Sequence, residues 1–142
     1  HLHESGTETK VEFGRYLTEL VTTTSANLPG GAQGTDIDVQ SEKITGGLSL
    51  AVPLGLIVNE LLTNALRHAF PAKSWIRISL SRPAPETVEL AVTDNGRALP
   101  SGFDPDADAG MLLAEALAAQ LGATLAVEST GTGTSVKMSV PL

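Results

Sequence analysis

Between positions 60 and 68 the sequence sets a carboxylate, a carboxamide, a guanidinium and an imidazole at Glu60, Asn64, Arg67 and His68. On a helix turning 100° per residue, the last three lie at about 40°, −20° and 80° from Glu60, while the neighbouring apolar residues centre near 150°. The four polar groups therefore share one stripe beside a core-facing one. Such a set can orient a proton, ligate a hard metal through oxygen and contact phosphate. On spacing alone it also reads as a solvated helix face carrying an i, i+4 hydrogen bond. A second group is Asp94-Asn95-Gly96, which closes a strand pattern. There an Asp can accept from an exocyclic amine, and the Gly lets a flat ring approach the backbone. By itself that tripeptide is a common turn signal. Gly110 opens a helix whose first N–H groups can face phosphate, and Thr134 follows Gly133 on the last strand.

The elements that must carry these groups can be read from periodicity. Phe13, Tyr16, Leu17, Leu20 and Val21 fall at helical spacing within Val11 to Asn27. Pro29, Gly30, Gly31 and Gly34 mark a loop, after which Ile37 and Val39 alternate with polar residues as a short strand does. Gly46 and Gly47 are expected to end a hairpin-like region. The strongest helix is expected from Pro53, a tolerated first-turn position, to Phe70, stopped by Pro71. Trp75 to Leu80 and Thr87 to Thr93 read as two antiparallel strands around a turn at Ser81 to Pro85. A loop from Asp94 to Gly110 has the length of a functional lid. Met111 to Leu121 reads as a helix ending at Gly122, and Thr124 to Val127 and Ser135 to Val140 read as strands. This order implies an α/β (α+β) two-layer sandwich, a mixed, mostly antiparallel sheet with helices packed on one face.

Composition limits the partners. The 142 residues suit one domain of ordinary size, and 16 acidic against 9 basic residues give a formal charge of −7. That charge repels nucleic acid and anionic lipid, so neither nucleic-acid binding nor direct membrane contact is expected. Without Cys there is no disulfide, zinc-thiolate site or thiol nucleophile. The apolar run from Leu48 to Val58 is interrupted by Ser49, Pro53 and Gly55 and falls short of the roughly 18 residues that cross a bilayer. The chain begins with His and has no signal-peptide pattern, which suggests a soluble piece of a longer protein.

Taken in order, these features resemble the ATP-binding domain of bacterial sensor histidine kinases, within the superfamily that also includes gyrase and MutL. The stretch from Pro53 to Pro71, read PLGLIVNELLTNALRHAFP, resembles the N box of the short-lid branch related to the HWE group. Asp94-Asn95-Gly96 is similar to the adenine-binding G1 box, Gly110-Met111-Leu112-Leu113 to the G2 box, and Gly133-Thr134 to the final Gly-Thr element. The resemblance implies a Bergerat fold that binds ATP with Mg²⁺ and transfers the γ-phosphoryl group to a histidine. It implies that Asn64 ligates Mg²⁺ and that Glu60 activates or orients the reacting group. Arg67, His68 and Gly110 are then near the phosphates, Asp94 takes the adenine amine, Gly96 admits the base and Thr134 supports it. It further implies a cytoplasmic location. The resemblance also implies that residues 1–30 are a tail and helix following a dimerisation and phosphoacceptor hairpin outside this sequence, with residues 31–142 as the ATPase-like domain. The partners implied are that histidine-bearing hairpin, a response-regulator receiver domain and a second copy in a homodimer.

The sequence departs from the pattern at Ala98, where a second G1 glycine is usual, and at Asp108, where a small hydroxyl residue is common. A methyl stiffens a hinge, and a carboxylate beside phosphates is repulsive. These departures leave open a second reading, a scaffold that docks a response regulator without using ATP. A serine kinase acting on an anti-sigma antagonist is a third, disfavoured by the first helix and the N box.

Overall fold

The computed structural model describes residues 9–27, 35–67, 74–95, 109–130 and 133–142. Along the chain the elements are β1 (Lys10–Glu12), α1 (Phe13–Asn27), β2 (Thr35–Ser41), β3 (Thr45–Gly47) and α2 (Leu48–Arg67). They continue with β4 (Ser74–Ala84), β5 (Thr87–Asp94), α3 (Ala109–Gln120), β6 (Leu125–Thr130) and β7 (Gly133–Pro141). Five strands make one sheet in the order β2-β4-β5-β7-β6, while β1 and β3 pair separately. Every pair in the large sheet is antiparallel except β2 with β4.

Alternation decides which face the helices cover. Val88, Leu90 and Val92 of β5, Ile76, Ile78 and Leu80 of β4, and Val136, Met138 and Val140 of β7 are buried on one side. Against them pack Phe13, Leu17 and Val21 of α1, Ala51, Leu54, Ile57, Val58, Leu61 and Leu62 of α2, and Met111, Ala114 and Ala118 of α3. The result is the two-layer sandwich expected, with a single core cluster among the described residues. On the open face Arg77 lies over the Trp75 ring and pairs with Asp38 at 3.7 Å.

Four local expectations need correction. The region after β2 is not a hairpin, because β2 runs parallel to β4 and Gly46 and Gly47 belong to β3, which pairs with β1. At Gly46 an added Cβ would fall 2.8 Å from Phe13 Cζ, so the absence of a side chain there admits the buried ring. Helix α2 starts at Leu48 rather than Pro53, which sits inside it. Burial of Ala51 and Leu54 stabilises the turns around a residue that supplies no N–H to the carbonyl four back. By length and composition Leu48–Leu66 is apolar enough to cross a bilayer, contrary to the reading of the shorter run. Its buried face in the common core accounts for that composition. Finally, β4 continues to Ala84 through a register shift between Ser81 and Ala84, and the turn tightens to Pro85 and Glu86. Beyond Leu80 the strand has no β2 partner, so Pro83 removes no ladder donor on that side.

Candidate functional site

The sheet places Asp94 and Thr134 directly opposite each other in the β5–β7 register, with Ile76 of β4 facing Asp94 from the other side. Because Asp94 continues the buried alternation of Val88, Leu90 and Val92, its carboxylate is on the helix-covered face. It is 9% exposed, the only polar or charged residue among those described that is buried. Burying a carboxylate is costly unless hydrogen bonds or opposite charge satisfy it, and buried titratable groups are enriched at functional sites, so this position is a site candidate.

Backbone contacts fix the corner around it. Gly133 has φ +149°, and a Cβ there would lie 1.9 Å from the Asp94 carbonyl oxygen. Only glycine can bring the start of β7 this close to the end of β5. Next along the chain, the Asn95 N–H donates to the Trp75 carbonyl at 3.3 Å, and the Trp75 N–H donates to Asn95 Oδ1 at 2.7 Å. Asn95 thus pins the end of β5 to β4, a structural role within the tripeptide that motif spacing does not reveal. A cavity of about 310 Å³ opens at this corner, but Trp75, Thr93, Glu128 and Ser135 in its lining alternate with the buried positions, so it lies toward the open face of the sheet and not beside the Asp94 carboxylate.

The second part of the site is on α2, which packs against β4, β5 and α3. Glu60 and Asn64 are half-buried, one turn apart on the same helix, as the periodicity predicts. Arg67 is the last residue of α2, and its side chain lies outside the described residues. His68, Gly96, Ala98 and Asp108 also lie outside them, together with most of the loop expected as a lid. Gly110 falls in the first turn of α3, where helix N–H groups have no partner within the helix.

Which residues can hold a metal is limited. Among the described residues no group of three or more His, Asp or Glu side chains is placed to hold an ion. The Asn64 carboxamide is one neutral oxygen donor. That suits Mg²⁺ arriving on a phosphate ligand, since Mg²⁺ keeps few protein ligands and takes the rest from phosphate and water.

Sequence reasoning missed the seam between α1 and α2. Thr24 Oγ1 donates to Asn59 Oδ1 at 2.7 Å, and Tyr16 lies against Gly55, where an added Cβ would meet its hydroxyl at 2.5 Å. The signal available was the placement of Asn59 immediately before Glu60.

Residues 49–142 match the family model described as histidine kinase-, DNA gyrase B-, and HSP90-like ATPase. Over 140 residues the chain is 31% identical to blue-light-activated histidine kinase 2 of Erythrobacter litoralis, covering 96% of this chain and 40% of that protein. The solved histidine kinase domain of the E. litoralis EL346 blue-light-activated kinase superposes with a TM-score of 0.84 at 32% identity, over 93% of this chain and 62% of that one. The ATP-binding domain of PrrB from Mycobacterium tuberculosis shares the fold, with a TM-score of 0.72 at 22% identity over 94% and 96% of the two chains. With its N-box helix, its buried Asp94 and a family match over two-thirds of its length, the chain belongs to the histidine kinase-, DNA gyrase B- and HSP90-like ATPase family.

Proposed function

We propose that this chain is the catalytic and ATP-binding domain of a two-component sensor histidine kinase, of the short-lid branch related to the HWE group. It transfers the γ-phosphoryl group of ATP to a histidine outside residues 1–142. The observation that carries this reading is Asp94, a buried carboxylate at a strand end opposite Thr134 and next to a glycine-only approach.

In this reading Asp94 accepts a hydrogen bond from the adenine exocyclic amine, Gly96 admits the ring and Thr134 supports the acceptor. The N–H of Gly110, with Arg67 and His68, faces the phosphates. Asn64 would hold Mg²⁺, which when bound offsets charge on the phosphate oxygens. An imidazole nitrogen of the acceptor histidine attacks the γ-phosphorus. A P–N bond forms as the bond to the bridging oxygen breaks, and ADP leaves. Glu60 orients the imidazole and takes its N–H proton.

The chain spans 40% of the length of the blue-light-activated relative, so the remaining partners are proposals as well. They are a phosphoacceptor-histidine hairpin of the same protein outside residues 1–142, a response-regulator receiver domain that takes the phosphoryl group onward, and a second copy in a homodimer. The domain acts in the cytoplasm, with residues 31–142 as its ATPase-like part. Ala98 and Asp108 favour one competing reading, a scaffold that docks the regulator without nucleotide.

Thermal unfolding with Mg·ATP separates the two. A ligand present at a hundredfold excess over its Kd stabilises the native state by about 2.7 kcal/mol, or roughly 8 °C for a domain of this size. A shift with ATP and none with GTP supports the kinase reading, and no shift at millimolar ATP supports the scaffold.

A further inference from the structure

We propose that Thr24 is a positioning residue, acting through Asn59 to fix the rotation of the α2 turn that carries Glu60 and Asn64. The proposal rests on the kinase reading above for what those two residues do, but not for where they are.

The threonines of α1 divide by where their hydroxyls go. Thr18 Oγ1 donates to the Gly14 carbonyl at 2.8 Å and Thr22 Oγ1 to the Thr18 carbonyl at 2.9 Å, both within their own helix. Thr24 instead crosses to α2, donating to Asn59 Oδ1 at 2.7 Å. Both partners are half-buried, and the neighbouring Ser25 Oγ is shut off from solvent, so the bond forms where water competes poorly.

The core face of α2 is Ala51, Leu54, Ile57, Val58, Leu61 and Leu62, packed in one apolar cluster with Phe13 and Met111, and apolar burial is by itself non-directional. A hydrogen bond has an angular optimum and resists rotation about the helix axis. At the helix surface, about 5–6 Å from the axis, a roll of about 10° carries a side chain about 1 Å. Displacements of that size can cost up to about a hundredfold in rate when reacting groups must meet. Asn59 is adjacent to Glu60 and one turn or so before Asn64, so rotation fixed at Asn59 is rotation fixed at both.

The other end of the tie is also anchored. Glu12 caps α1, accepting from the Gly14 N–H at 2.9 Å and the Arg15 N–H at 3.1 Å, and the Phe13 N–H donates to the Ile44 carbonyl at 2.8 Å. Four residues before Asn59, Gly55 lets Tyr16 lie against α2. Helix α1 is thereby a strut with its start fixed to Ile44, just before β3, and its later turns engaged with α2, where Thr24 adds a directional contact.

The test compares Thr24→Val, which keeps the shape and removes the hydroxyl, with Thr24→Ser, which keeps the hydroxyl. In the 142-residue chain, amide resonances of Glu60 and Asn64 should move in Thr24→Val and return in Thr24→Ser. In the full-length protein, with Mg·ATP as the probe, Thr24→Val should keep its Kd within about twofold while the rate of phosphoryl transfer to the acceptor histidine falls about tenfold, with the Ser variant restoring it. Unmoved Glu60 and Asn64 resonances overturn the proposal, as does a rate unchanged in Thr24→Val. So does a rate loss that tracks melting temperature and Kd together, which is the signature of a structural role alone. If the wild-type chain binds no ATP, the kinase reading fails, and the resonances still decide whether Thr24 sets the rotation of α2.

Discussion

The corner at Asp94 and the stripe on α2 are held in different ways. At the corner, backbone meets backbone: the β4–β5–β7 ladder sets Asp94 between Ile76 and Thr134, and Gly133 closes to a distance no side chain permits. On α2, side chains hold a helix whose buried face is entirely aliphatic or alanine, and Glu60 and Asn64 ride on its half-buried side. The first arrangement tolerates no change in shape. The second tolerates much in stability and little in orientation. A site that must recognise one ligand and then act on it can place recognition on the rigid part and reaction on the adjustable one.

The sharpest way to break this comparison is Gly133→Ala. With φ +149° and a clash with the Asp94 carbonyl, it should destabilise the fold by about 3 kcal/mol or more. A loss under about 1 kcal/mol in urea unfolding would show that the corner can relax and is no more rigid than the helix. Next is Asn64→Ala, on the adjustable side. It should fold with a melting temperature close to wild type, yet lose phosphoryl transfer on the order of a hundredfold. Unchanged transfer would remove Asn64 from the reaction.

Asp94→Asn sharpens the recognition half, since it preserves shape and removes charge from a strong acceptor. ATP affinity should fall about tenfold, with discrimination against GTP reduced, as calorimetry with both nucleotides would show. Equal affinities for ATP and GTP in the wild type would count against adenine at this corner. The smallest effect belongs to the α1–α2 seam. Ser25 Oγ is buried without a hydrogen-bond partner, so Ser25→Ala should be neutral or stabilise by about 0.5–1 kcal/mol. A clear loss of stability would mean that a water or another group satisfies that hydroxyl.

Much of this was legible from residues alone. The i, i+4 pair Glu60 and Asn64, the alternation ending at Asp94 and the C-terminal Gly122 of α3, at φ +75°, each belong to one element with its own periodicity. What could not be read depends on partners chosen across the fold. Ile37 and Val39 alternate identically whether β2 closes a hairpin or lies parallel to β4. Three residues, as in β1 and β3, carry too short a pattern to see. Pro83 signalled a turn because the loss of the β2 partner beyond Leu80 is a property of the sheet and not of its neighbours in sequence. The Thr24–Asn59 bond likewise exists only once two helices have been packed at one angle.

The parallel pairing of β2 with β4 also bears on how the molecule assembles itself. β4 and β5 are joined by a two-residue turn and can zip together early, whereas β2 reaches β4 only after β3 and the whole of α2 have been laid across the sheet. Closing that long segment costs chain entropy before its contacts repay it. β2 is also an edge strand, with β4 as its sole neighbour in the large sheet. It is therefore the strand expected to join last and to detach first. In native-state hydrogen exchange the amides of Ile37 and Val39 should open at lower free energy than those of Leu90 and Val92 in β5, which has a neighbour on each side.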